Sequence, residues 1–401
     1  MEFTYCKLID VLSNIHSGGT PSTKESSYWG GKIKWLSSGE TSQRFISDTI
    51  DKITDEGVKN SSTKLASKGS IVMACAGQGK TRGQTSYLLD DMYINQSVIA
   101  LETNESVLPL YLFYDLSSRY EELRGGSDAS STRGSITTTS LKNLSFKYPD
   151  LSTQQSIVDI LWGYDSLIEA NNRRIELLEQ AAQELYKEWF VRFRFPGYEN
   201  AKFEDGIPEG WAIKRMNEFC YVTDGTHDTP KPVDVGVPLV TGRCISSGFV
   251  DFDAAYNISE TDHIGIKKRS GLKSGDILFS NIGTVGNCCV VDYNREFSVK
   301  NVIIFKPETM RDTAYLYYWM TSSTMQEIFG TQTNGASQQF VGLTFMRRYK
   351  LLVPKDDILE AFAEKVSPIV EQKRLSHQKN LNLAAQRDML LPRLMSGKLE
   401  V

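Results

Sequence analysis

The sequence predicts an α/β fold of the α+β kind, made of two similar halves. Each half is a sheet-rich domain followed by a long helix, and the two long helices pair antiparallel like a coiled coil. Three observations carry this expectation. Five stretches of the first half recur in the same order in the second. Each half opens with short β-branched or aromatic runs between Gly, Ser, Asn and Pro clusters, the pattern of a compact sheet with long loops. Each half then ends in a helical segment of about 40 residues.

The repeat sets the architecture. "KGSIVMACAGQG" (Lys68 to Gly79) matches "SGDILFSNIGTVG" (Ser274 to Gly286), with Gly69 on Gly275 at an offset of 206. "SVIAL" from Ser97 matches "NVIIF" from Asn301, and "YLFY" from Tyr111 matches "YLYY" from Tyr315, both at 204. "FKYP", ending at Pro149, matches "LLVP", ending at Pro354, at 205. "LEQAAQELY" then pairs with "LNLAAQRDML" at 203. A common order with so little drift is duplication. It gives four parts: a sheet domain over 1–150, a helical spacer over 151–195, a second sheet domain over 196–355 and a second spacer over 356–401.

The spacers show helix signals. Ser152 with Gln155, and Asp357 with Glu360, fit capping boxes. Gly163 and Pro368 occupy equivalent places and predict a break or kink in each helix. Beyond Gly163, the residues Tyr164, Ile168, Asn171, Ile175, Leu178, Ala182, Leu185 and Trp189 alternate spacings of 4 and 3, a heptad seam for another long helix. The second seam is weaker: Phe362, Val366 and Ile369 begin it, Leu383 and Leu390 end it, and polar residues lie between. Antiparallel pairing relates the halves by a pseudo-two-fold axis. Tyr164 to Trp189 spans roughly 38 Å at helical rise, near the 34–36 Å or so of one DNA turn.

Composition narrows the function. The 401 residues carry a net charge of −4, which excludes a chain coated in basic residues for indiscriminate nucleic-acid binding but leaves room for local basic surfaces. Six scattered cysteines without a C-x-x-C, and four histidines, argue against structural zinc and for reduced thiols in the cytoplasm. No apolar run reaches membrane-helix length, and "MEFTYCKLID" lacks the pattern of an export signal.

"IVMACAGQGKT" (Ile71 to Thr81) ends like a phosphate-binding P-loop, but Ala74 stands where the motif needs glycine. The following "RGQTSYLLDD" reads as turn and strand, without the helix whose dipole such a loop uses. The matching "SNIGTVGNCC" holds neither Lys nor Arg. The stretch is therefore expected to be a variable loop tip, offering Gln78, Lys80, Arg82 and Gln84 to base edges or phosphates. Two further matched stretches, Ala129 to Pro149 and Gly335 to Pro354, contain no acidic residue. They supply Arg133, Lys142 and Lys147 in one, and Gln338, Gln339, Arg347, Arg348 and Lys350 in the other, as a phosphate-tracking face requires. His227, Asp224 and Asp228 lie in a turn with no assignable nucleophile.

With these features in place the chain resembles, over its whole length, the specificity (S) subunit of a type I restriction-modification system. The resemblance is carried by the two-copy layout, by "GGTPS…YWGGKIKWLSSGE" and "DGTHDTP" near the start of each half, by "GIPEGW" (Gly206 to Trp211), and by the ending "LLPRLMSGKLEV". It implies an α/β target-recognition domain in each half, each reading one half of a split double-stranded DNA sequence, with the helical spacer setting the gap. It implies a non-catalytic chain that docks two methyltransferase subunits, joined by restriction subunits. Adenine methylation with S-adenosylmethionine, and ATP- and Mg²⁺-dependent cleavage, would then belong to those partners, with no cofactor in this chain. By position, Lys80, Arg82 and Arg133 in the first domain and Arg243, Gln338, Gln339 and Arg347 in the second fall in loops expected near DNA. Trp189 and Phe190 in the aromatic "LYKEWFVRFRFPGY", with Leu391 and Leu394 in the last motif, are assigned to partner docking, packing on the second domain being the alternative for the aromatic run. A protein-interaction scaffold without DNA specificity is the competing reading of the whole.

Overall fold

The computed structural model describes residues 2–77, 80–128, 134–246, 248–293, 295–332 and 340–401. The chain divides into two compact units, residues 1–170 with 379–401, and residues 171–378. The dividing points fall inside the two long helices, Leu151–Tyr186 and Asp356–Ser396, so each unit takes a part of both.

In the first unit a five-stranded sheet runs in the order Leu12–Ser17, Val98–Thr103, Ile71–Ala74, Thr85–Leu88, Phe45–Ile46. A four-stranded sheet runs Asp51–Ile53, Trp29–Leu36, Met92–Ile94, Lys64–Ala66. Successive side chains of a strand point to opposite faces. Ile71, Met73, Ile99 and Leu101 therefore enter a core with helix Pro109–Ser118 and with Ile157, Leu161 and Leu394 of the long helices. Val72, Val98 and Ala100 enter a second core with Leu36, Ile46 and Ile94. Burial on both faces is why "SIVMA" and "SVIAL" read as unbroken apolar runs.

The second unit repeats the plan. Its four-stranded sheet runs Tyr221–Asp224, Val302–Lys306, Ile277–Ser280, Cys288–Val290. Ile277, Phe279, Ile303 and Phe305 face one core, while Leu278, Val302 and Ile304 face the other. Strand register shows the duplication residue by residue. Val98 lies opposite Ala74 as Val302 lies opposite Ser280, and Met73 opposite Thr85 as Phe279 opposite Cys288. The parallel pair Leu36 and Ile94 recurs as Val240 and Val299.

A glycine at each opening, Gly18 of "GGT" and Gly225 of "GT", has a packing reason. A Cβ on Gly18 would lie 1.8 Å from the Ile94 carbonyl oxygen, and one on Gly225 would lie 2.2 Å from that of Val299. Only glycine lets these segments lie so close to the neighbouring backbone.

The long helices correct two expectations. Neither Gly163 nor Pro368 interrupts its helix. A Cβ on Gly163 would meet no described atom within 4 Å, and Pro368 is exposed, so packing elsewhere along the helices outweighs the roughly 1 kcal/mol and 3 kcal/mol these residues cost. The first cap is Asp150 rather than Ser152, its carboxylate accepting from Thr153 N at 3.0 Å and Thr153 Oγ1 at 2.8 Å. The predicted seam from Tyr164 to Trp189 is buried or half-buried throughout.

The helix segments pair antiparallel within each unit. In the first, Asp165 meets Arg387 and Ile168 meets Asn380. In the second, Glu179 meets Lys373 and Tyr186 meets Phe362. The polar gap in the second seam is a continuation of the heptad: Lys373, Ser376, Asn380 and Arg387 are all buried, at spacings of 3, 4 and 7. The first helix leaves through a π-helical turn at Lys187–Val191. There Phe190, Phe193 and Phe195 close around Trp211 of "GIPEGW", with ring centroids 6.0, 5.6 and 5.1 Å away. No described helix is long and apolar enough to cross a membrane.

Candidate nucleic-acid interface

In the stretch "CAGQGKTRGQ", residues 75–77 and 80–84 belong to the tip of a β-hairpin. Ala74 N donates to Gln84 O at 3.0 Å and Gly83 N to Ala74 O at 2.9 Å, and the chain passes directly into strand Thr85–Leu88. The second copy closes in the same way, Ser280 N to Asn287 O at 2.8 Å and Gly286 N to Ser280 O at 3.0 Å. Gly83 and Gly286 have φ of +88° and +104°, which glycine adopts without strain. With a strand after the loop, no helix N-terminus is present to hold a nucleotide's phosphates, which removes the P-loop reading.

In each copy a main-chain bond joins this hairpin tip to the acid-free stretch: Ile136 N to Cys75 O at 2.9 Å, and Val341 N to Asn281 O at 3.0 Å. Cys75 N also donates to Ser97 O at 2.9 Å, so three loops converge there. The two regions that the sequence marks separately are thus joined in each copy.

The predicted side chains divide. Lys80 is exposed, and its carbonyl accepts from the Tyr120 hydroxyl at 2.8 Å, which accepts in turn from Arg124 Nη1 at 2.8 Å. Arg243 is exposed and leans toward Ala254 O at 3.4 Å. Arg82 is buried, with Nη1 donating to Gly134 O at 2.8 Å, and ties the hairpin to the acid-free stretch. Arg347 gives Nε and Nη2 to Val222 O at 3.0 and 2.8 Å, and so holds its own domain together. Gln78, Arg133, Gln338 and Gln339 lie outside the described residues.

The docking assignment needs correction. Trp189 and Phe190 are buried in the core of the second unit against Phe362, and Leu391 and Leu394 in a core of the first. A partner cannot reach side chains already committed to a core. The exposed apolar residues of the long helices are others, among them Leu167, Leu177, Leu381 and Met389. They fall off the seam, so heptad reasoning passes over them.

His227 gains a carboxylate partner, with Nε2 2.9 Å from Asp224 Oδ2 and Nδ1 3.0 Å from Asn301 Oδ1. Asp224 is also paired with Arg269. Both ring nitrogens face oxygen acceptors rather than a hydroxyl or thiol to activate. Among the described residues one group has metal-ligand spacing: Glu260, His263 and Glu296. There the Lys267 ammonium already pairs with Glu296, and buried His263 spans Ser298 Oγ at 2.9 Å and Glu296 Oε2 at 3.2 Å, so the group is an ion-pair network. All six cysteines are free; burial pushes the Cys220 thiol up to about 12 and those of Cys288 and Cys289 well above the ordinary value.

Comparison with known proteins gives this geometry a context. Residues 2–180 match the family described as the type I restriction modification DNA specificity domain. The MjaIX type I restriction enzyme specificity subunit of Methanocaldococcus jannaschii is 26% identical over 417 residues, covering 98% of this chain and 93% of its own length. The EcoR124I/EcoR124II specificity subunit of Escherichia coli is 31% identical over 199 residues, 47% of this chain and 48% of that one. In fold, the crystal structure of a type I restriction-modification S subunit from M. genitalium matches with a TM-score of 0.54 and 14% identity, covering 98% of this chain and 96% of the other.

Proposed function

This chain belongs to the type I restriction-modification specificity-subunit family, and from that premise we propose that it is the non-catalytic DNA-recognition subunit of such a system. Each target-recognition domain reads one half of a bipartite double-stranded sequence. One observation carries the reading: both copies bring a hairpin tip and an acid-free stretch together through the same main-chain bond, while the side chains differ. A shared frame with unlike tips is what two half-sites of different sequence require.

In this reading two methyltransferase subunits dock on the long helices, where Leu167, Leu177, Leu381 and Met389 stand in solvent. Restriction subunits join that complex. S-adenosylmethionine, ATP and Mg²⁺ serve the partners' chemistry. The cytoplasm, where DNA is present and thiols stay reduced, is the compartment it fits.

The test is selection of duplexes from a random pool by the chain co-purified with its methyltransferase subunits. Enrichment of two short half-sites at one fixed gap supports the proposal. A stable complex that enriches no sequence supports the protein scaffold instead.

A further inference from the structure

Beside the first hairpin tip lies a cavity of about 470 Å³ whose wall includes Arg44, Lys80, Gln84, Ser117, Tyr120 and Arg124. Three of these are cations, and Glu121 is the one acid among the described residues of the wall. The Arg44 guanidinium is fixed: Nη2 lies 3.3 Å from Asp165 Oδ2, and the group sits 4.9 Å from the Phe113 ring centroid. Even so, two donors of this wall, Arg44 Nε and the Ser117 hydroxyl, are buried with no hydrogen-bond partner among the described residues. Buried donors are rarely left so unless water or a ligand completes them.

The second copy supplies an internal control. Its cavity of about 420 Å³ is walled by Gly286, Asn287, Cys288 and Thr321, the counterparts of Gly83, Gln84, Thr85 and Ser117. There the Thr321 hydroxyl donates to Tyr317 O at 2.8 Å and accepts from Gln183 Nε2 at 2.5 Å. Gln326 Nε2 donates to Gly286 O at 3.1 Å, and Lys373 is paired with Glu179. The same niche is thus satisfied from within in one copy, and basic with incomplete donors in the other.

We propose that the first cavity is a subsite for one phosphodiester group of the DNA backbone. Arg44, Lys80 and Arg124 supply the charge, and Ser117 Oγ and Arg44 Nε the directed donors. A phosphate presents acceptors only and takes several charge-assisted bonds at once, which matches incomplete donors beneath three cations. The assignment rests on the DNA-recognition reading above and deepens it. It makes the first domain hold backbone at a place where the second does not.

The experiment titrates the full-length chain with a fluorescent duplex of random sequence over a series of salt concentrations. Ser117→Asp is compared with Ser117→Asn, which fills the niche equally without charge. The aspartate variant is expected to bind about tenfold more weakly, with a slope of log affinity against log salt shallower by about one. Equal affinity and slope for the two variants overturns the proposal. If the aspartate variant fails to fold by circular dichroism, Lys80→Gln against wild type gives the same reading, since Lys80 is an exposed side chain on the cavity wall. A second arm follows thermal melting with added inorganic phosphate. Stabilisation of wild type by phosphate, with unchanged DNA slopes, assigns the niche to free phosphate and overturns the backbone assignment. Absence of any duplex binding by wild type overturns the DNA reading itself and this proposal with it.

Discussion

Asp165 and Arg387, on facing segments of the two long helices, form a buried ion pair with side chains only 2% and 8% exposed. The carboxylate is shared: the Tyr114 hydroxyl donates to it at 2.9 Å and Arg44 Nη2 lies 3.3 Å away. Burial and the Asp165 charge raise the Tyr114 phenol, which therefore stays a donor. One carboxylate joins helix to helix and both to the recognition domain.

Removing Arg387 leaves that charge under-compensated. Arg387→Ala is expected to destabilise the chain by about 3 kcal/mol, because a broken buried pair costs more than the pair contributes. The double variant Asp165→Leu with Arg387→Leu should recover only part of that loss, because the Tyr114 hydroxyl and Arg44 then lose their acceptor. Urea unfolding of the two proteins checks both expectations.

Arg347 and Lys80 should separate cleanly. Arg347→Ala loses two charge-assisted bonds to Val222 O and is expected to cost about 1–3 kcal/mol of stability. Bound DNA sequence preference should be unchanged. Lys80→Ala, at an exposed loop side chain, should leave stability unaltered and weaken duplex binding. Unfolding and binding measured on both variants form the check.

Much of this was legible in the residues. Unbroken apolar strands and matched offsets gave the duplicated sheets, because register ties each strand to its counterpart. The first seam was legible because all its residues but Asn171 are apolar or aromatic. The second was not, since Lys373, Ser376, Asn380 and Arg387 look solvated until their partners are seen. Arg44, Ser117 and Arg124 escaped for a related reason: they lie far apart in sequence and meet only through the fold. Arg82 and Arg347 were marked by charge, but the backbone carbonyls they serve carry no sequence signal.

The opening glycines Gly18 and Gly225 should not tolerate a methyl group. Gly225→Ala places a Cβ 2.2 Å from the Val299 carbonyl oxygen, and the backbone must shift. A loss of about 3 kcal/mol is expected, with Gly18→Ala behaving alike. Thermal melting of each variant is the measurement.

Asp115 gives a pH signature. Burial pushes its carboxyl up to about 6, against the opposing pull of Arg119. The folded chain thus holds this proton more tightly than the unfolded chain. The resulting stability is fully present below about pH 4 and is lost as pH rises through about 6. Asp115→Asn should flatten that slope and stabilise the chain at pH 7 by on the order of 1–2 kcal/mol, the lost contact with Arg119 offsetting part of the gain. Unfolding across that pH range checks the sign.

The most direct test of DNA reading by two unlike domains is to co-express the chain with its methyltransferase subunit and map methylated adenines across the genome. A split motif is expected, two short half-sites at one fixed gap. Replacing residues 75–82 should then change one half-site and leave the other intact. A single contiguous motif, or a replacement that alters both half-sites, would contradict that reading.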